Sequence, residues 1–155
     1  MSLILIILVP LFTAGVAALL GNWPNLRESV SLLGGVGLFI SNLSLLPAVL
    51  AGGFPAVWIA EPIPGLPIAL RAEPLGVLFG ITASFLWLVT TVYSIGYLRA
   101  HGESHQSRFF AFFAVAIAST MGVAFAENLF TLFIFYELLT FSTYPLVTHT
   151  GTVEA

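Results

Sequence analysis

The stretch NLFTLFIFYELLTFSTYPLVTH, residues 128–149, is long and apolar enough to span a bilayer, yet it carries a carboxylate near its middle, at Glu137. The hydrocarbon core of a bilayer is about 30 Å thick, so a helix that rises about 1.5 Å per residue crosses it in about 20 residues. A carboxylate at the centre of such a helix costs about 2.5 to 3.5 kcal/mol. Glu137 is therefore a candidate functional residue whose charge partner has to be found.

Four further apolar runs repeat this pattern, at residues 3–20, 29–51, 74–98 and 109–126. Hydrophobic residues make up 59% of the chain and charged residues 7%, whereas about a quarter of the positions in a soluble domain are charged. No run shows the alternation of apolar and polar residues that membrane β-barrels need. We therefore predict an all-α integral membrane protein whose five transmembrane helices form a single bundle over residues 1–155.

The linker between the second and third runs, residues 52–73, carries four prolines and cannot be helical throughout. Two short apolar arms within it, at 57–60 and 68–70, are expected to pair as a small hairpin on the membrane surface. Only Glu127 and Asn128 separate the fourth and fifth runs. This spacing predicts a tight antiparallel helical hairpin.

The arginines predict the orientation of the chain in the membrane. Arg27 falls in the first predicted loop, Arg99 and Arg108 fall in the third, and only Arg71 falls in the second. Because basic residues favour the cytoplasmic side, the N-terminus is expected outside and the C-terminus in the cytoplasm of a cell membrane. The first run has no Lys or Arg before it and is too long for a signal-peptide core, so we count it as a transmembrane helix.

The fifth run has one polar face. Thr140, Tyr144 and Thr148 follow Glu137 at offsets of three, seven and eleven residues, which places all four on a narrow stripe of a helix. A carboxylate followed by hydroxyl groups is suited to ordering water along a proton or sodium path. We therefore predict that these four residues line such a path.

A second interpretation of Glu137 is structural. The carboxyl group can be neutral because of desolvation and hydrogen-bond a neighbouring Ser or Thr, which would join two helices. The fourth run offers Ser119 and Thr120 for this purpose. These two residues are also weaker candidates for the ion path.

The chain contains no Lys, and its four arginines lie in predicted loops or at helix ends, too far from mid-membrane to neutralise Glu137. Its charge partner is therefore expected outside these 155 residues. The segment HGESH (101–105) lacks the order of a zinc-protease helix, and the chain has neither a cysteine nor a phosphate-binding loop. We expect no metal, no cofactor and no enzymatic activity, and the net charge of −3 argues against nucleic acid.

Three segments carry a family resemblance: YSIGYL (93–98), RFFAFFAVAIASTMGVAFAENLFTLFIFYELLTFSTYPLVTH (108–149) and the closing GTVEA (151–155). They resemble the N-terminal part of the proton-conducting antiporter-like subunits that respiratory complex I, membrane-bound hydrogenases and Mrp-type cation/proton antiporters share. Within that family the chain is most similar to the D-type subunit of Mrp antiporters. The family's fifth-helix glutamate falls on Glu137, within the pattern F-Y-E-x-L-T.

In the family this glutamate pairs with a lysine on a later helix and begins a half-channel. The resemblance implies that the chain is the N-terminal portion, split or truncated, of a larger antiporter-like module. Its partners would be other membrane subunits, including a lysine-bearing chain, and its ions H⁺ and possibly Na⁺. The alternative is a structural subunit that scaffolds a larger membrane complex without transporting ions.

Overall fold

The structure is a computed structural model that describes residues 2–101 and 106–147. In these residues five helices and one two-stranded sheet follow one another, as the predicted helical membrane fold requires, and four of the helices are long and apolar enough to cross a membrane. The helices are α1 (Ser2–Leu19), α2 (Pro24–Leu50), α3 (Pro74–His101), α4 (Gln106–Ala124) and α5 (Leu129–Val147), and the strands are β1 (Ala56–Ile63) and β2 (Leu66–Arg71).

The helix ends at the first and third connections differ from the prediction. The second helix was expected to begin at residue 29, but it begins at Pro24, where proline needs no backbone donor and its fixed φ suits a helix start. Arg27 therefore lies in the first turns of α2 rather than in a loop. Likewise α3 extends through Arg99, and Arg108 lies in the first turn of α4. Pairing between these helix ends, described below, explains the added turns.

Helices α1 to α4 form a closed ring, and α5 lies outside it. In the ring α1 packs against α2 and α4, α2 packs against α3, and a smaller contact joins α3 to α4. Helix α5 packs against α4 and against β2. The largest fully buried apolar side chains of the ring are Ile6, Leu38, Leu45, Trp87 and Met121, and Phe125 just after α4 is buried with them.

Glycines allow the helices of the ring to approach closely. A Cβ at Gly35 of α2 would overlap the side chain of Leu88 on α3, and one at Gly34 would overlap Thr13 of α1. Small residues at such positions let helix backbones come together where lipid supplies no hydrophobic drive for association. Leu88 and Thr13 are far from these glycines in the sequence or on another helix, and only the folded bundle brings them together.

The predicted hairpin is present between α2 and α3. Strands β1 and β2 are antiparallel, with Val57 opposite Leu70, and Gly65 supplies a positive φ of 82° at the turn. The hairpin also contacts the connection between α4 and α5: the Arg71 N–H donates to the Phe125 carbonyl (2.8 Å). Because Leu70 is buried, β2 is part of the packed molecule and not only a surface arm.

The connection between α4 and α5 is longer than the two residues expected, since α4 ends at Ala124 and α5 begins at Leu129. Asn128 caps α5, because its Oδ1 accepts the Thr131 N–H at 2.8 Å. Its Nδ2 donates to the Pro67 carbonyl of β2 at 2.9 Å. The start of α5 is thus fixed by the hairpin as well as by α4.

Candidate functional site

Helix α5 is the most open of the long helices. In its most apolar 18-residue stretch 11% of the residues are buried, compared with 39% in α4. The helix is anchored at its first turn, where Thr131 is fully buried, accepts the Ala69 N–H (3.0 Å) and donates to the Pro67 carbonyl (3.3 Å). Most of the remaining surface of α5 is therefore left for lipid or for another protein.

The contact between Phe135 and Gly122 fixes the rotation of α5 on α4. A Cβ at Gly122 would overlap the ring of Phe135, so glycine provides the space for that ring. At about 100° per residue, Glu137 lies about 160° around the helix from Phe135. The face that carries Glu137 is consequently turned away from the contact with α4.

The structure describes three of the four residues predicted for the ion path, and all three lie on this open face. Glu137 is half-buried, Thr140 is exposed, and Tyr144 is 71% exposed. The Thr140 hydroxyl donates to the Tyr136 carbonyl of its own helix at 3.1 Å. Thr148 lies outside the described residues.

No described residue donates a hydrogen bond to Glu137 or forms an ion pair with it. The two residues considered for a structural role bond to their own helix instead. Ser119 is buried and donates to the Val115 carbonyl (2.9 Å), and Thr120 donates to the Ala116 carbonyl (2.8 Å). Within the described ranges, the structure does not bring together the pair that would make Glu137 a bridge between helices.

The arginines pair with other carboxylates. Arg99 of α3 binds Glu28 of α2 through Nε at 2.9 Å and Nη2 at 2.5 Å. Arg27 lies 3.8 Å from the same carboxylate, and the side chains of Arg27 and Glu28 are 4% and 6% exposed. This cluster of two arginines and one glutamate is called the Glu28 cluster below.

The Glu28 cluster also reaches α4. Arg27 donates to Ser107 Oγ at 2.9 Å and to Gln106 Oε1 at 2.7 Å, and its guanidinium lies 5.2 Å from the centre of the Phe110 ring. The cluster therefore joins one end of α2, α3 and α4. Sequence reasoning missed it because Arg27 was assigned to a loop; Pro24, a favoured first residue of a helix, was the signal available.

A second ion pair lies at the other end of the bundle, between Arg71 of β2 and Glu127 of the connection between α4 and α5. The hydrogen bond to Glu127, together with the charges of Glu127 and Glu73, raises the pKa of Arg71. The two side chains are 42% and 29% exposed. Solvent screens such exposed pairs, so this one is a minor element of stability.

In residues 2–101 and 106–147 no group of three or more His, Asp or Glu side chains has the arrangement of a metal site. His101 is the last residue of α3, and the rest of HGESH lies outside the described residues. The closing GTVEA lies outside them as well. The arrangement that the described residues do show is chemically simple: one carboxylate and two hydroxyl groups on an open helix face.

Sequence comparison finds relatives among subunits of NADH-quinone oxidoreductase and of Na⁺/H⁺ antiporters. The chain is 32% identical over 162 aligned residues to NADH-quinone oxidoreductase subunit N of Desulforudis audaxviator strain MP104C, an alignment that covers 96% of this chain and 30% of that protein. It is 29% identical over 114 residues to Na⁺/H⁺ antiporter subunit A1 of Staphylococcus aureus strain RF122, covering 71% of this chain and 14% of the relative. No protein-family model matches the chain. The chain thus spans less than a third of the length of these relatives.

Solved structures share the fold. The chain superposes on the Mrp complex from Dietzia sp. DQ12-45-1b with a TM-score of 0.80 at 23% identity, over 95% of this chain and 27% of the other. It superposes on the membrane-bound sulfane sulfur reductase, an archaeal respiratory membrane complex, with a TM-score of 0.77 at 19% identity, over 95% of this chain and 23% of the other. At these identities the similarity concerns the fold.

The apolar helices and these comparisons define the chain as a multi-pass helical membrane protein. The relatives confirm the predicted resemblance to the antiporter-like membrane subunits of Mrp antiporters and complex I-type enzymes. The narrower resemblance to the D-type subunit and the orientation in the membrane remain predictions.

Proposed function

We propose that the chain is a membrane subunit of a multisubunit cation/proton antiporter or of a complex I-like proton-pumping assembly, in which Glu137 belongs to a pathway for H⁺ or Na⁺. The observation that carries this proposal is the open face of α5, on which Glu137 has no partner among the described residues. It is supported by the similarity to an NADH-quinone oxidoreductase subunit and to a Na⁺/H⁺ antiporter subunit. A carboxylate in mid-membrane is costly unless other groups satisfy it. Protein outside this chain would complete the pathway. The chain itself would act as a transporter subunit rather than as an enzyme.

The partner proposed for Glu137 is a lysine on another membrane chain or on a continuation of this one. Arg27 and Arg99 are held by Glu28, and Arg71 is held by Glu127, so these three cations are already engaged. An ammonium group that approaches and withdraws would make the carboxylate release and take up a proton in turn, because a nearby positive charge favours its ionised form.

The hydroxyl groups of α5 would form the path to the membrane surface. Thr140, Tyr144 and Thr148 follow Glu137 at helical spacing, and the two that are described, Thr140 and Tyr144, are both exposed. Ser119 and Thr120 contribute less to this proposal because they lie on α4, away from the open face of α5. Water ordered by the hydroxyl groups of α5 would carry the proton, or would hydrate the sodium ion.

A structural subunit is the second candidate function. The tight ring of α1 to α4 favours it, since Gly34 and Gly35 allow contacts that a scaffold needs and the Glu28 cluster locks three helix ends together. Gly35→Leu would force Leu88 away and open the ring. If the chain is only a scaffold, this change disrupts assembly of the complex, whereas changes at Glu137 have no effect on transport.

The proposed function is tested by Glu137→Gln in the assembled complex, reconstituted into liposomes. Glutamine keeps the shape and most hydrogen-bonding capacity but cannot titrate, so ion-coupled proton transport should fall at least about 100-fold, the usual scale for removing a positioned proton-transfer group. Glu61→Gln, on the exposed hairpin, is the matched control and should transport normally. Near-normal transport by an assembled Glu137→Gln complex would contradict the ion pathway, and the structural subunit would then be the remaining candidate function.

A further inference from the structure

A groove runs along α4 between α3 and α5 near the hairpin end of the bundle. Its volume is about 500 Å³. The walls are mainly apolar, and the backbones of α3 and α4 come together at its floor, where a Cβ at Gly76 would lie 2.7 Å from the Ala124 carbonyl oxygen. The apolar lining includes Leu75, Phe79, Val123 and Leu139.

The charges at the groove lie at one end of it. Arg71 and Glu73 both line the groove, and Arg71 is paired with Glu127 just beyond it. Glu73 is exposed, and no described residue donates a hydrogen bond to its carboxylate. The mouth therefore presents one guanidinium and two carboxylates, so that both signs of charge are available.

The mouth lies at the level expected for lipid headgroups. Helix α3 has 28 residues and begins at Pro74, directly after Glu73. A helix of this length is about 42 Å long, which exceeds the hydrocarbon core of about 30 Å and brings its ends into the polar interface. The apolar part of the groove then lies within the adjacent half of the bilayer.

We propose that this groove binds a phospholipid whose headgroup carries a primary ammonium group, as phosphatidylethanolamine does. The ammonium would donate to the Glu73 carboxylate, and Nη1 of Arg71, which Glu127 does not use, would donate to the phosphate. An acyl chain would lie between α3 and α5. A headgroup with one positive and one negative charge complements a mouth that offers both signs. Anionic lipids are disfavoured because the three side chains of the mouth sum to one negative charge.

The size of the groove favours a lipid chain over a protein helix. A helix with its side chains is about 10 to 12 Å wide and rises about 5.4 Å per turn, so the groove holds little more than one turn. An extended acyl chain fits a narrow groove of this kind along its length. This proposal is independent of the proposed function, because neither Glu137 nor Thr140 lines the groove.

The test measures which lipids stay with the purified chain. After extraction from a membrane that contains equal amounts of phosphatidylethanolamine and phosphatidylcholine, the bound lipids are quantified by mass spectrometry. Because the trimethylammonium group of phosphatidylcholine has no N–H, it cannot donate to Glu73. The amine lipid should be enriched at least about threefold, the scale of one exposed charge pair.

Two variants separate the headgroup from the chain. Glu73→Gln replaces the carboxylate that accepts from the ammonium group by a weaker, neutral acceptor, so the ratio of the two bound lipids should fall toward one. Val123→Trp fills the groove and should remove both lipids, whereas Val92→Trp, which replaces a residue that is 61% exposed on α3, should change neither. The proposal is wrong if wild-type protein shows no preference, if Val123→Trp retains the lipid, or if Glu73→Gln keeps the full preference.

Discussion

Glu28 and Glu137 are both glutamates within the helices of this chain, and their surroundings are opposite. Glu28 is 5% exposed and is bound by Arg99, with Arg27 close by. Glu137 is half-buried on the outermost helix and has no partner among the described residues. The first carboxylate is satisfied entirely within the chain.

The difference separates a charge that stabilises the fold from the charge that we propose belongs to an ion pathway. A buried ion pair whose hydrogen bonds are satisfied holds helix ends in place, and removing one member leaves a buried charge uncompensated. A carboxylate with an open face can change its protonation, provided that another protein group approaches it. Replacement by glutamine is therefore expected to lower stability at Glu28 and to lower transport at Glu137.

The largest effect on stability is expected from Glu28→Gln. The substitution leaves Arg27 buried without its counter-charge and weakens the hold on Arg99, which should cost about 3 kcal/mol of unfolding free energy. Glu137→Gln is the matched control and should cost less than about 1 kcal/mol, since it breaks no described interaction. Unfolding of the isolated chain in detergent, followed by helical circular dichroism, compares the two; equal losses would remove the distinction between the sites.

The next effect concerns the anchor of α5. Thr131→Val keeps the volume but leaves the buried Ala69 N–H without an acceptor, so it should cost about 2 kcal/mol and loosen the start of α5. Hydrogen exchange at Ala69 should accelerate in the variant. Thr140→Val, on the open face, should change the unfolding free energy by less than about 0.5 kcal/mol. A Thr131→Val protein with unchanged exchange would mean that the hairpin does not hold α5.

A smaller effect is expected when the helix cap is removed. Asn128→Ala loses both the cap on Thr131 and the bond to Pro67, and should cost about 1 kcal/mol. Asn128→Asp keeps the capping oxygen but loses the donor to Pro67, so it should retain most of that stability. Chemical unfolding of the two variants ranks them, and an aspartate variant as weak as the alanine one would assign the effect to the hairpin bond alone.

The smallest effect is expected at the exposed ion pair. Arg71→Gln removes the ion pair with Glu127, yet it should lower the unfolding free energy only slightly, and the difference from wild type should shrink as salt is raised. This result would contrast with the Glu28 cluster, where burial limits screening by salt. A loss at Arg71 as large as that at Glu28 would show that burial does not decide the strength of the ion pairs in this chain.

The sequence was sufficient for the elements whose signals are local. Apolar length predicted the helices, the prolines of 52–73 predicted a break with a short hairpin, and periodicity placed Thr140 and Tyr144 on the face of Glu137. The Glu28 cluster was missed because it depends on pairing between residues about 70 positions apart, which periodicity does not register. The start of α2 was missed although Pro24 marks it locally.

Periodicity also could not indicate where the polar face of α5 points. It groups Glu137 with Thr140 and Tyr144 but does not relate the group to the neighbouring helix. The contact of Phe135 with Gly122 decides that question, and it turns the group outward. Because the group points outward, a partner of Glu137 is expected in the surroundings of the bundle and not within it.

The central claim is that another protein segment covers the open face of α5. The most direct measurement replaces Tyr144 by the photoreactive residue p-benzoylphenylalanine in the assembled complex and identifies the cross-linked product by mass spectrometry. The same probe at Tyr93, which is 67% exposed on α3, serves as the reference. We expect the Tyr144 probe to cross-link to a membrane helix that carries a lysine. Cross-linking of the Tyr144 probe to lipid alone would contradict it.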